Sequence, residues 1–130
     1  WGVPQDAVLL MTLGRLAADK GTDRALRAMT FLPAEVRLAV VGGGEEEEAL
    51  HRLAAELGIE DRVVFTGAMD QTDVPRALRA ADIFLFPTVR DEAAGLVLTQ
   101  AMATGIPVIA SRIGGIPDYV AREGEQVGSE

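Results

Sequence analysis

Apolar residues gather along this chain in five short runs, and polar stretches of helical length separate them. The runs are 7–13 (AVLLMTL), 36–41 (VRLAVV), 62–66 (RVVFT), 82–86 (DIFLF) and 107–110 (PVIA). They are β-branched or aliphatic, and most close on Gly or Pro, which marks them as strands. Between them, residues 22–30 bring Ala25, Leu26 and Met29 to one face, and residues 46–57 do the same for Leu50, Leu53, Ala54 and Leu57. Both patterns have the period of an amphipathic helix. Helices over 74–81, 95–104 and 116–122 complete the alternation. Strands alternating with helices at spacings of about twenty to thirty residues predict parallel pairing through right-handed crossovers. The expected fold is α/β, a Rossmann-like three-layer sandwich with a parallel sheet of about five strands.

Composition narrows the chemistry. The 130 residues suit one domain, and 48% hydrophobic content with only 5% aromatic predicts a core of Val, Leu, Ile and Ala. A net charge of −8 argues against nonspecific binding to nucleic acid or to an anionic membrane, both of which need a basic surface. With no cysteine there are no disulfides and no thiol chemistry, and a single histidine leaves the usual zinc constellations unbuildable. No metal is expected. No signal peptide or membrane-spanning stretch is visible in the sequence, and a cytoplasmic setting is the expectation.

A sheet of this kind binds ligands at the carboxyl ends of its strands, so the residues following each run are the candidates. Gly14 and Arg15 follow the first run, and Lys20 comes five residues after the arginine. The planar fork of Arg and the mobile charge of Lys can hold a diphosphate together. The alternative is a solvated loop whose cations pair with Asp19 or Asp23. Gly42, Gly43 and Gly44 follow the second run and serve either a close backbone approach to a ligand or a tight turn into the helix. Residues 45–48, four consecutive glutamates, fall at a predicted helix start, where acids complement the dipole. His51 reads as a solvated or hydrogen-bonded helix residue, with no Ser, Cys or second metal ligand to serve. After the third run, Gly67, Ala68 and Met69 either flank a nucleobase or form an ordinary strand exit.

The segment 88–107, TVRDEAAGLVLTQAMATGIP, concentrates more signals than any of these loops. Pro87 ends the fourth run, the loop carries Arg90, Asp91 and Glu92, and Ala93, Ala94 and Gly95 keep side chains small where a ligand would approach. If Ala94 and Gly95 open the helix, its first amides are free and its dipole favours a phosphate. Leu96, Val97, Ala101 and Met102 then pack on the sheet, leaving Glu92 and Gln100 to face the cleft. On a plainer reading, Glu92 is a helix-start carboxylate and Gln100 a surface residue.

Four stretches in this order, GRLAADKG, VPRALRAADIFLFPT, DEAAGLVLTQAMATGIPVIAS and GGIPDYV, resemble the C-terminal, donor-binding domain of GT-B glycosyltransferases of family 4. The resemblance runs from about Val8 to Val120. It implies one half of a GT-B fold and a retaining, metal-independent enzyme that transfers a sugar from a UDP-, GDP- or ADP-linked donor to an acceptor. By this resemblance Arg15 and Lys20 hold the diphosphate and Glu92 contacts the hydroxyls of the donor sugar, so these three carry the catalytic roles. The amides of Gly95 and Leu96 cap the distal phosphate, and Gly14, Gly67, Ala94, Gln100 and Gly114 complete the donor-binding set.

Two positions depart from the family pattern. Gln100 stands where a second glutamate usually accepts from the ribose hydroxyls; it keeps one acceptor and loses the charge. Ala94 replaces a common aromatic residue. The resemblance further implies that residues 1–6 end an interdomain linker, that the N-terminal Rossmann-like domain supplying the acceptor site is missing, and that the C-terminal end is truncated. The isolated chain is therefore expected to be inactive, and the intact enzyme to be cytoplasmic or peripheral at the membrane. Other readings of the same residues are a nucleotide-binding sensor module, a domain of a GT-B sugar-nucleotide epimerase, and a purely structural flavodoxin-like domain.

Overall fold

The computed structural model describes residues 7–87 and 101–110. Each of the five apolar runs forms a strand: β1 Val8–Leu13, β2 Val36–Val41, β3 Val63–Gly67, β4 Ile83–Phe86 and β5 Val108–Ala110. They build one sheet in the order β3-β2-β1-β4-β5, with every pairing parallel. Helices α1 Thr22–Met29, α2 Glu47–Glu56 and α3 Val74–Ala80 connect them, and residues 101–103 are helical before β5.

The strands are apolar at successive positions because both faces of the sheet are covered. Alternate residues point to opposite sides. Leu9 and Met11 of β1, Ala39 and Val41 of β2, and Phe84 and Phe86 of β4 meet Val74, Ala77 and Leu78 of α3, together with Ala101. Leu10, Leu38 and Val40 face the other way and meet Ala25, Leu26 and Met29 of α1 and Leu50 and Ala54 of α2. Fully burying an aliphatic side chain such as Leu26 or Leu38 contributes roughly 1.5–3 kcal/mol, so these two apolar layers carry most of the stability. The helix ends follow dipole preferences: Asp23 lies in the first turn of α1, Arg27 in its last, and Glu47 and Glu48 open α2.

Two charged residues that the sequence pattern places inside strands sit just outside them. Arg62 belongs to a single 3-10 turn, Glu60–Arg62. Its guanidinium donates to the carbonyls of Val36, Leu32 and Pro33 at 3.2, 3.3 and 2.7 Å, pinning the chain that enters β2. Asp82 precedes β4 and exchanges bonds with Leu9: the Leu9 amide donates to Asp82 Oδ2 and the Asp82 amide to the Leu9 carbonyl, both at 2.8 Å. A polar side chain that satisfies neighbouring backbone groups can end a strand while keeping the strand's sequence look.

Arg62 acts at the amino ends of the strands, away from the ligand-facing rim. Arg62→Ala should therefore lower the unfolding free energy by about 1.5–3 kcal/mol, the range for hydrogen bonds to a charged group. Urea denaturation measures this, and an unchanged midpoint would contradict it.

Candidate functional site

In the order β3-β2-β1-β4-β5 the chain leaves β1 toward β2 by α1 and returns to the other side of β1 only at β4. The strand order reverses there, and such a switch point is where open α/β sheets leave a crevice for ligands. A shallow cleft, open to solvent, lies at this place. One wall consists of Thr12, Gly14, Arg15, Lys20 and Thr22 from β1, the loop after it and the start of α1; Leu85, Phe86 and Pro87 form the other. The cations predicted from the sequence, Arg15 and Lys20, thus share one cleft.

The loop bearing Arg15 is held by backbone bonds and by the buried side chain of Leu16. The amides of Gly14 and Leu16 donate to the carbonyls of Val41 and Gly43, and the Glu46 amide donates back to the Leu16 carbonyl, each at 3.0 Å. Gly42 has φ +136, and a Cβ on it would run into the Gly14 carbonyl; one on Gly44 would strike the backbone of Leu16. The glycine run therefore answers a choice the sequence leaves open. Its close approach is to the neighbouring loop, which only residues without a Cβ permit.

The carboxylate that pairs with Arg15 is neither Asp19 nor Asp23 but Glu45. Its Nη1 lies 3.0 Å from Glu45 Oε1, with both side chains largely exposed. Glu45 is not in the first turn of α2, as the run of glutamates suggests; Glu46 is the N-cap, and Glu45 lies in the turn before it. Sequence reasoning missed this pair because the two residues are thirty apart. The signal was topological: loops that follow adjacent parallel strands end on the same rim. An exposed pair of this kind contributes about 0–1 kcal/mol, too little to hold the fold.

Thr12 was also missed. It is buried, at 5% exposure, and its hydroxyl has no hydrogen-bond partner among the described residues. It interrupts an otherwise aliphatic strand, VLLMTL, at the end that reaches the cleft. A buried hydroxyl without a partner is costly, and this one lines the same cleft as Arg15 and Lys20.

Gly67 ends β3, two strands from the cleft, and its carbonyl accepts from the Gly42 amide at 3.0 Å. His51 packs its ring on Phe65, centroids 3.9 Å apart, with Glu47 one helical turn away. Its side chain is about half exposed, which agrees with its reading as a solvated helix residue. Glu92, Ala94, Gly95, Leu96, Gln100 and Gly114 lie outside the described residues.

Comparison with known proteins bears on the same stretch of chain. The family model described as "Glycosyl transferases group 1" matches residues 1–127. The chain is 42% identical, over 132 aligned positions, to D-inositol 3-phosphate glycosyltransferase 2 of Catenulispora acidiphila, covering 92% of this chain and 31% of that protein. Among solved structures, WaaG, a glycosyltransferase involved in lipopolysaccharide biosynthesis, aligns with a TM-score of 0.87 at 30% identity, over 99% of this chain and 35% of its own. Anabaena HepE in complex with UDP and glucose aligns with a TM-score of 0.83 at 30% identity, over 98% and 34%. The chain thus spans about a third of the length of the proteins it matches.

The unpartnered hydroxyl yields a test in the ligand-free chain. Thr12→Val replaces it with a methyl group of similar volume and should raise the unfolding free energy by about 1 kcal/mol, the low end of the cost of an unsatisfied buried group. Denaturant melts measure the change; a loss of stability would show that the hydroxyl is bonded in solution.

Proposed function

Since this chain belongs to the group 1 glycosyl transferases, we propose that it is the donor-binding domain of a retaining, metal-independent glycosyltransferase and binds a nucleoside-diphosphate sugar in the cleft between β1 and β4. The observation that carries the reading is the convergence of Arg15 and Lys20 on that cleft, on one braced loop at the switch point of the sheet. A diphosphate brings two or more negative charges, and a guanidinium fork with a mobile ammonium is the pair of groups suited to it.

During transfer, negative charge grows on the departing diphosphate. Arg15 and Lys20 stabilise it from fixed positions, which lowers the barrier more than equal charges free in water would. They can stand in for a metal ion, and among the described residues no three His, Asp or Glu side chains come together. The opposite wall ends at Pro87, so the segment after it, with Glu92 at the sugar hydroxyls, the amides of Gly95 and Leu96 at the distal phosphate, and Gln100 toward the ribose, is assigned to the sugar and nucleoside. Gly114 borders the same pocket in this reading.

The acceptor is assigned to a second Rossmann-like domain, so the chain alone binds donor without transferring sugar. Among the described residues no helix is long and apolar enough to cross a membrane. A cytoplasmic enzyme that meets its acceptor at a membrane surface fits the proposal.

UDP, seen in the HepE complex, is the first nucleotide to test, followed by GDP and ADP, each with and without a sugar. A thermal-shift screen should show a selective upward shift for one base. Calorimetry of Lys20→Ala should then show nucleoside-diphosphate binding weaker by roughly 1.5–3 kcal/mol, about ten- to a hundredfold in Kd. Unchanged affinity would remove Lys20 from the site, and no shift with any nucleotide would overturn the proposal.

A further inference from the structure

The ion pair between Arg15 and Glu45 is awkwardly placed for donor binding. Glu45 stands in the turn after β2, whereas the cleft opens on the opposite flank of β1, toward β4. Its carboxylate contacts Arg15 from the β2 side while Arg15 still lines the cleft. The loop does not need the pair for its position: the backbone bonds among Gly14, Leu16, Val41, Gly43 and Glu46 and the buried side chain of Leu16 hold it. Nor is it sheltered from water, since the two side chains are 64% and 60% exposed. What it does is take one donor, Nη1, of a residue whose partner is to be a diphosphate.

We infer that Glu45 is an affinity-determining residue of the donor site, an internal counterion that competes with the donor diphosphate for Arg15. The inference rests on the reading of this cleft as a diphosphate site. Glu45 takes a hydrogen bond from Nη1, a donor that a phosphate would also use, and two anions crowded on one cation repel each other. Arg15 already lines the cleft with Lys20, so a bound diphosphate and Glu45 contend for the same guanidinium. The cost is small because the pair is exposed, and it falls on affinity rather than on folding. It also makes affinity adjustable: anything that weakens the carboxylate's hold on Arg15 frees the fork for donor.

Calorimetric titration of the chain with UDP and GDP tests this in wild type, E45Q, R15Q and the double variant, with melting curves to confirm that all four fold. Both side chains are mostly exposed, so the fold should persist. E45Q should bind the nucleoside diphosphate roughly twofold to fivefold more tightly, matching the coupling of exposed ion pairs. The gain should shrink as salt rises, because screening weakens Glu45's hold in the wild type. In the R15Q background, E45Q should change little, since the competitor then has nothing to hold. Weaker binding by E45Q would overturn the inference and make Glu45 a residue that presents Arg15 to the donor. A gain of full size persisting in R15Q would overturn it too, in favour of direct repulsion of the ligand. Equal affinity of wild type and E45Q would overturn the competition while leaving the donor site intact. No binding by wild type would overturn the donor reading itself, and the competition with it.

Discussion

Strand order reverses at β1, and the ligand-facing half of the molecule is arranged by that reversal. α1 and α2 cover one face while the chain builds outward through β2 and β3; α3 and the helix ending at residue 103 cover the other while it builds through β4 and β5. β1 is the only strand with neighbours from both halves, and it is buried along most of its length for that reason. Its carboxyl end borders the cleft. Leu16 and Phe86 belong both to the apolar layers and to the cleft lining, so the packing that fixes the strand also shapes the cleft.

A second constraint refines the first. The loop after β1 and the loop after β2 are locked by reciprocal backbone bonds and by glycines that leave no room for a Cβ. Arg15 is thereby delivered on a rigid support while its side chain stays free to change partners. Rigidity of backbone and mobility of side chain are a sensible combination for a group that must bind a charged ligand and release it. Thr12 sits beneath the same loop with its hydroxyl unpaired among the described residues, a small instability at the place where the structure would otherwise be best packed.

Much of this was legible in the sequence. Aliphatic runs and amphipathic spacers specify the strands, the helices and their parallel order, because burial on both sheet faces and on one helix face leaves distinct periods. Arg15 and Lys20 were found because strand ends are where this architecture binds ligands. The ends of elements were less legible: Arg62 and Asp82 look like strand residues and instead satisfy neighbouring backbone groups from just outside. Long-range contacts were not legible. Nothing local in GGGE says that its glycines pack on Gly14 and Leu16, or that its glutamate reaches Arg15. Those facts depend on β1 and β2 being adjacent, which no single motif encodes.

The central claim is that a nucleoside diphosphate sits at the carboxyl ends of β1 and β4. Titrating the isotopically labelled chain with UDP or GDP while recording amide chemical shifts tests it most directly. The account predicts that the largest shifts fall on Gly14–Lys20 and on the segment following Pro87, with residues at the amino ends of the strands, such as Phe31 and Arg62, unmoved. Shifts centred on those amino ends, or spread evenly over the chain, would contradict it.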